Sequence, residues 1–277
     1  MNAQQPPFGV LLRRWRERRR MTQMDLAAAA NSSTRHLSYL ETGRAQPSRD
    51  MVLRLSDELQ VPLREQNLLL LAAGFAPAFA ERPMSELTAA RQAIEQILAA
   101  HRPYPAFAVN RHWDIVLSNR ALPQLYVDCS AELLRPPVNA VRLTLHPLGL
   151  APRIVNLAEW RGHVVAVLRQ QAEATADAGV QALLAEIMAY PAPGAAAIGD
   201  SDGPQRYATP LQIATERGTI SFLNTNTIFG TPTDVTLSEL ALEMLFPADA
   251  ETVAIVRAMA AEAGEPAPAA DALAEAG

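Results

Sequence analysis

The sequence contains no lysine: all 24 of its basic residues are arginine. In an alanine- and proline-rich chain this reads first as a coding bias and only second as phosphate chemistry. There is a single cysteine, Cys129, which excludes an internal disulfide and a paired-cysteine metal site and fits a reducing cytoplasm. No long hydrophobic run is present. The longest, "LLLLAAGFAPAFA" over residues 68–80, falls short of the ~20 residues a membrane span needs and is interrupted by Gly74 and Pro77. The opening "MNAQQPPFGVLLRRWRERRR" carries its charge after the apolar stretch, the reverse of a secretory signal. Phosphate-binding glycine loops, HExxH and GxSxG are all missing, and His36, His101, His112, His146 and His163 show no metal-ligand spacing. The expectation is a protein that is not an enzyme and uses neither cofactor nor metal.

What is present divides in two. A chain of 277 residues is long enough for two ordinary domains. Residues 1–63 hold ten arginines and six acids, a balance of +4, so the rest carries −9 of the net −5. A basic front and an acidic back suggest that only the front meets a polyanion.

The front reads as helices. Phe8, Leu11, Leu12 and Trp15 form one apolar stripe, with arginines on the other faces. Thr22 and Asp25 have the spacing of a reciprocal cap for a second helix, which Asn31 ends in a left-handed conformation. Ser33 caps a third, with Leu37 and Leu40 inward and Gly43 as its stop. A fourth begins near Ser48, and a fifth covers residues 63–73 and ends at Gly74. The third helix is unusual because its first turn is wholly polar and its apolar positions lie further on. Such a helix suits insertion by its amino end into the major groove, where Ser33, Thr34 and Arg35 reach base edges or phosphates. Arg35 has the geometry for a bidentate guanine contact, and Gln23 sits where it can clamp a phosphate.

"MTQMDLAAAANSSTRHLSYLETGRAQPSRDMVLRLSDELQVP", residues 21–62, resembles the XRE-type helix-turn-helix of phage repressors and their bacterial relatives. It follows their pattern of TQ-x-x-LA, a turn, Leu-Ser-x-Leu-Glu-x-Gly and a following proline. Asn31 replaces the usual glycine of the turn, and Ser32 a usual apolar residue. The resemblance implies base-facing positions at Thr34, Arg35, Ser38 and Tyr39, and backbone-facing positions at Gln23, Ser33 and Arg44. It also implies a double-stranded DNA operator.

Behind a proline-punctuated connection the period changes. Leu87, Arg91, Ile94, Ile97 and Leu98 suggest a connecting amphipathic helix. "PAFAVNRHWDIVLSNRAL" then reads as a hairpin running into a helix. Trp160, Val164, Val167 and Leu168 mark one helical stripe, and Leu183, Leu184 and Ile187 another. "TPLQIATERGTISFLNTNTIFGTP" returns to strands with a turn at Arg217 and Gly218. "ELALEMLFPAD" fits a strand through Leu240, Leu242, Met244 and Phe246, and a helix through Leu237, Ala241 and Leu245. Pro247 and Asp249, read as the exit into a last helix over residues 250–263, favour the strand.

The strings "VNRHWDIVLSNRAL", "VNAVRLTLHPLGLAPRIVNLAEWRGH" and "FGTPTDVTLSELALEMLFPAD" resemble the ligand-binding domain of MmyB-like transcriptional regulators. That resemblance implies a PAS-like α+β fold enclosing a small, largely apolar, fatty-acid-like ligand. Trp113, Tyr126 and Trp160 have the chemistry to wall such a cavity, and Arg142 or His146 to meet a carboxylate. Each also has a plainer reading. Trp113 and Trp160 fit core positions, and Asn119 is either a cap or a ligand donor. His146 can bond a backbone carbonyl, and Arg142 can pair with an acid.

The combined expectation is an all-α five-helix helix-turn-helix domain (1–75), a linker and connecting helix (76–100), an α+β PAS-like domain (101–263) and a disordered tail (264–277). It describes a cytoplasmic, homodimeric DNA-binding regulator controlled by a small ligand. The alternative is a regulator whose C-terminal domain serves only dimerisation or protein interaction.

Overall fold

The computed structural model describes residues 6–191, 209–230 and 232–264; the expected tail lies outside them except for Gly264. Two compact units form. The first is built on Met1–Pro83 with Glu173–Ala176 and Gly230–Ser238, and the second on Met84–Ala172, Asp177–Phe229 and Glu239–Gly277.

The first unit opens with five helices: α1 (Phe8–Arg18), α2 (Gln23–Ala29), α3 (Thr34–Glu41), α4 (Arg49–Glu58) and α5 (Leu63–Ala72). Their ends follow local chemistry. Thr22 accepts from the Asp25 backbone N–H while the Asp25 carboxylate accepts from the Thr22 N–H, a reciprocal cap that starts α2. Ser33 accepts from the His36 N–H and Ser48 from the Met51 N–H, starting α3 and α4. Asn31 takes φ 51° and Gly43 φ 72°, the left-handed geometry that ends α2 and α3. Phe8, Leu12, Trp15, Leu26, Leu37, Leu40, Val52 and Leu55 close one core. Leu37 and Leu40 lie one turn apart and face inward, so burial orients α3 and leaves its first turn outside.

The second unit is α+β. Its helices are α6 (Thr88–Ala100), α7 (Ala140–Leu145), α8 (Leu157–Thr175) and α9 (Ala178–Ala189), with α11 (Ala250–Glu262) last; α10 (Val235–Ser238) lies in the first unit. The strands β1 (Ala106–Val109), β2 (Ile115–Ser118), β3 (Leu211–Thr215), β4 (Gly218–Ile228) and β5 (Ala241–Pro247) make an antiparallel sheet in the order β2-β1-β5-β4-β3. The ambiguous "ELALEMLFPAD" segment is therefore a strand where its central residues are concerned. Tertiary pairing decides it, since β5 is hydrogen-bonded on both sides, to β1 and β4. The helix expected at Asn119 is a short 3-10 turn, Leu122–Tyr126. One face of the sheet, with Phe107, Val109, Leu211, Ile213 and Leu245, shares a core with Tyr126, Val141, Leu143, Trp160, Leu168 and Leu183. None of the described helices is long and apolar enough to cross a membrane.

Candidate functional site

In the first unit the polar amino end of α3 is open. Ser33, Thr34 and Arg35 are exposed, and Ser38 and Tyr39 are half-buried on the same helix. Arg35 Nε donates to the Tyr39 hydroxyl at 3.0 Å, and the guanidinium lies 5.4 Å from the centre of that ring. The Tyr39 ring thus supports the arginine across one helical turn, holding it extended over the surface. Arg44, just beyond the Gly43 stop, is exposed.

Gln23 is placed differently from the expectation of a phosphate clamp. Its side-chain amide donates to Glu41 Oε2 at 2.8 Å. Glu41, at the far end of α3, also receives Arg16 Nε at 2.6 Å and Arg16 Nη2 at 2.9 Å, and Arg16 Nη1 bonds the Met21 carbonyl at 2.8 Å. The pair is well shielded, with side chains 11% and 3% exposed. Gln23 therefore braces α3 with its amide. This three-residue network joins α1, α2 and α3, and sequence reasoning missed it. The only local signal was the Glu of the Leu-Glu-x-Gly string, with nothing to name its partner.

In the second unit a cavity of about 220 Å3 lies against the sheet. Trp113, Tyr126 and Trp160 line it, with Phe107, Leu245 and Val164 among the apolar neighbours. Trp113 has φ 69°, uncommon for a bulky side chain, and its indole N–H donates to Gln171 Oε1 at 2.8 Å. Burial pushes the Tyr126 hydroxyl pKa up.

Asn119, Arg142 and His146 stand outside the lining. Asn119 is buried, accepting from the Ala106 N–H and donating to the carbonyls of Leu98 and Tyr104, so it ties the end of α6 to β1. Arg142 forms a bidentate pair with Glu186 of α9, at 2.8 Å for both the shortest Nε and the Nη2 contacts, and Tyr190 also donates to that carboxylate. His146 accepts from the Leu148 N–H and packs its ring edge-on to Tyr190. Arg142 thus pairs with an acid, as its plainer reading had it, whereas Asn119 links α6 to β1 instead of capping a helix and His146 bonds a backbone N–H instead of a carbonyl.

The lining contains polar residues that the sequence reading did not single out. Glu243 on β5 is 1% exposed and accepts from Asn224 Nδ2 at 2.6 Å and Asn226 Nδ2 at 2.8 Å. Asn224 and Asn226 are two apart on β4 and so share a face, and Asn226 pairs in register with Glu243. Burial raises the Glu243 carboxyl pKa, and the two amide donors oppose it. His163, on α8 beside Trp160, has its pKa lowered by burial. The "NTN" spacing was a legible period-2 signal, but the acid opposite it depended on strand register.

Compared with known families, residues 90–259 match the one described as MmyB-like transcription regulator ligand binding domain. Residues 7–69 match a helix-turn-helix domain. No protein of curated function matches the chain significantly.

Proposed function

Since the chain belongs to the MmyB-like transcription regulator ligand-binding domain family and carries a helix-turn-helix domain ahead of it, we propose that it reads an operator through the amino end of α3 and is controlled by a small, mainly apolar molecule held in the cavity of its second unit. The observation that carries this reading is the exposed first turn of α3, with Thr34 and Arg35 outward while Leu37 and Leu40 are buried. Thr34, Arg35, Ser38 and Tyr39 take base-facing roles; Ser33, Arg44 and the backbone at Gln23 take phosphate-facing ones. The protein acts as a homodimer on a pseudo-palindrome with half-sites about one helical turn apart. Ligand binding shifts the population between arrangements of the DNA-reading heads, through its differential affinity for them.

The cavity favours the ligand-sensor reading over a domain used only for dimerisation, which calls for a filled interior. At about 220 Å3 it is smaller than the roughly 300 Å3 lower bound of drug-sized sites, yet larger than the ~150 Å3 that takes benzene. A fatty-acid carboxylate was expected to meet Arg142 or His146, and neither lines the cavity. The ligand that fits is compact.

Affinity for DNA tests the phosphate contacts. Each neutralised phosphate contributes about −0.9 to the slope of log affinity against log salt. Arg44→Ala is expected to weaken binding to every sequence alike and to make that slope shallower by about one unit. An unchanged slope, measured by fluorescence anisotropy across a salt series, would remove Arg44 from the interface.

A further inference from the structure

Trp113 lines the cavity with φ 69°, a conformation that a bulky side chain keeps only where its surroundings enforce it. The turn around it supplies that enforcement. Asn110 Oδ1 accepts from the backbone N–H groups of His112 at 2.8 Å and Asp114 at 3.0 Å, and the Trp113 carbonyl accepts from the Ala140 N–H at 2.9 Å. Gln171 of α8 accepts from the Trp113 indole and donates to the Arg111 carbonyl at 2.7 Å. Arg111 and His112 stand outside the cavity lining and reach acids instead. Arg111 Nη1 lies 3.3 Å from Asp177 Oδ2 and 3.7 Å from Glu239 Oε1, and His112 Nε2 lies 3.1 Å from Asp177 Oδ1.

The place of those two acids in the chain is a second, independent observation. Asp177 and Glu239 are the residues at which the chain re-enters the second unit, after Glu173–Ala176 and Gly230–Ser238, which belong to the first. One turn thus holds both points of re-entry and, two residues beyond Arg111, a wall of the cavity. Inside the first unit the Glu173–Ala176 segment is fixed to α1: Arg18 Nη1 donates to the Glu173 carbonyl at 2.8 Å and Arg19 Nη2 to the Ala174 carbonyl at 3.4 Å.

We propose that the Asn110–Asp114 turn is a clasp coupling the cavity to the DNA-reading unit: a guest against Trp113 shifts the turn, and Arg111 and His112 pass that shift to Asp177 and Glu239. This rests on the ligand-sensor reading above. Packed turns switch between discrete arrangements instead of deforming continuously, and a guest acts through its different affinity for them. Arg111 works through the two acids and is a positioning residue. Its loss should cut the coupling and spare the affinity of the cavity for its guest.

The test uses the full-length protein with two apolar probes, heptanoate and 1-octanol, one carrying a carboxylate and the other not. Calorimetry gives the affinity for each probe, and anisotropy gives operator affinity with and without saturating probe. In the wild type the tighter probe is expected to change operator affinity by about fivefold or more, the lower end of ordinary coupling between sites. Arg111→Ala is expected to reduce that change to below about twofold while probe affinity stays within about twofold of the wild type. Without probe, amide hydrogen exchange in Arg111→Ala is expected to rise about threefold or more over residues 173–176 and 232–238, and to stay unchanged in β3 and β4. Full coupling in Arg111→Ala, or exchange that does not rise, would overturn the clasp and leave the cavity a ligand site. Probe affinity falling as far as the coupling would also overturn it, because the turn would then only shape the cavity. Probe binding that leaves wild-type operator affinity unchanged would overturn the clasp as well. Failure of both probes to bind the wild type would take down the ligand-sensor reading and the clasp with it. Should Arg111→Ala fail to fold by circular dichroism, Glu239→Gln, which removes one acid at constant shape, is held to the same outcomes.

Discussion

Replacing Arg16 by alanine is expected to destabilise the first unit by about 3–5 kcal/mol, the cost of leaving a buried charge without its partner. Glu41 would keep only the Gln23 amide, at a position where its own side chain is 3% exposed. Such a loss is a large fraction of a domain's folded stability, so the unit should unfold at markedly lower denaturant concentration. The joint change Arg16→Met with Glu41→Leu removes both charges and should recover most of the stability, because the loss comes from the orphaned acid more than from the missing attraction. Arg13 and Glu17 make an ion pair of similar length, at 2.7 Å, but are 63% and 51% exposed. Solvent screens them, and Arg13→Ala should leave the denaturation midpoint where it is. Urea unfolding of the three variants checks the contrast. Equal loss from Arg16→Ala and Arg13→Ala would mean that burial of the Arg16–Glu41 pair contributes nothing special.

Gly9→Ala should destabilise although it lies in a helix. On an exposed helix the change gains roughly 1 kcal/mol from propensity. At Gly9 an added Cβ would stand 2.5 Å from the carbonyl oxygens of both Leu40 and Glu41. These are backbone atoms at the carboxyl end of α3, so the relief has to come from moving one helix against the other. Overpacking of that kind costs typically about 1–3 kcal/mol, which outweighs the propensity gain and reverses its sign. It would also shift α3, the helix proposed to read DNA, so on that proposal operator affinity should fall together with stability. Gly162, in α8, meets nothing within 4 Å where its Cβ would be built, and Gly162→Ala should be neutral or stabilising. Thermal unfolding of the two variants gives a lowered midpoint for Gly9→Ala and no lowering for Gly162→Ala if α1 and α3 approach as closely as these distances state.

Both effects arise where the sequence was least informative. The helix ends of the first unit were legible because each cap is a bond between residues three apart: Thr22 with Asp25, Ser33 with His36, Ser48 with Met51. Their chemistry is visible in a window of four residues. The Arg16–Glu41 pair spans 25 positions, and the closeness of Gly9 to α3 depends on how two helices cross; neither follows from spacing. The same limit governs the cavity. Trp113, Tyr126 and Trp160 stood out simply as large aromatic residues in a chain that has few. Arg142 invited a carboxylate because its partner Glu186 lies 44 positions away on another helix. Glu243 was hidden for the reverse reason. It sits in an apolar run, and only pairing of β4 with β5 shows that two asparagines face it.

The reading of α3 as a DNA-recognition helix is tested most directly by selecting bound duplexes from a random pool with the wild-type protein and with Arg35→Ala. The wild type is expected to return a two-fold symmetric consensus. Arg35→Ala should relax one position in each half-site, by about 1–3 kcal/mol of base discrimination, and leave the other positions intact. Recovery of no consensus by the wild type, or of the same consensus at the same stringency by Arg35→Ala, would contradict it.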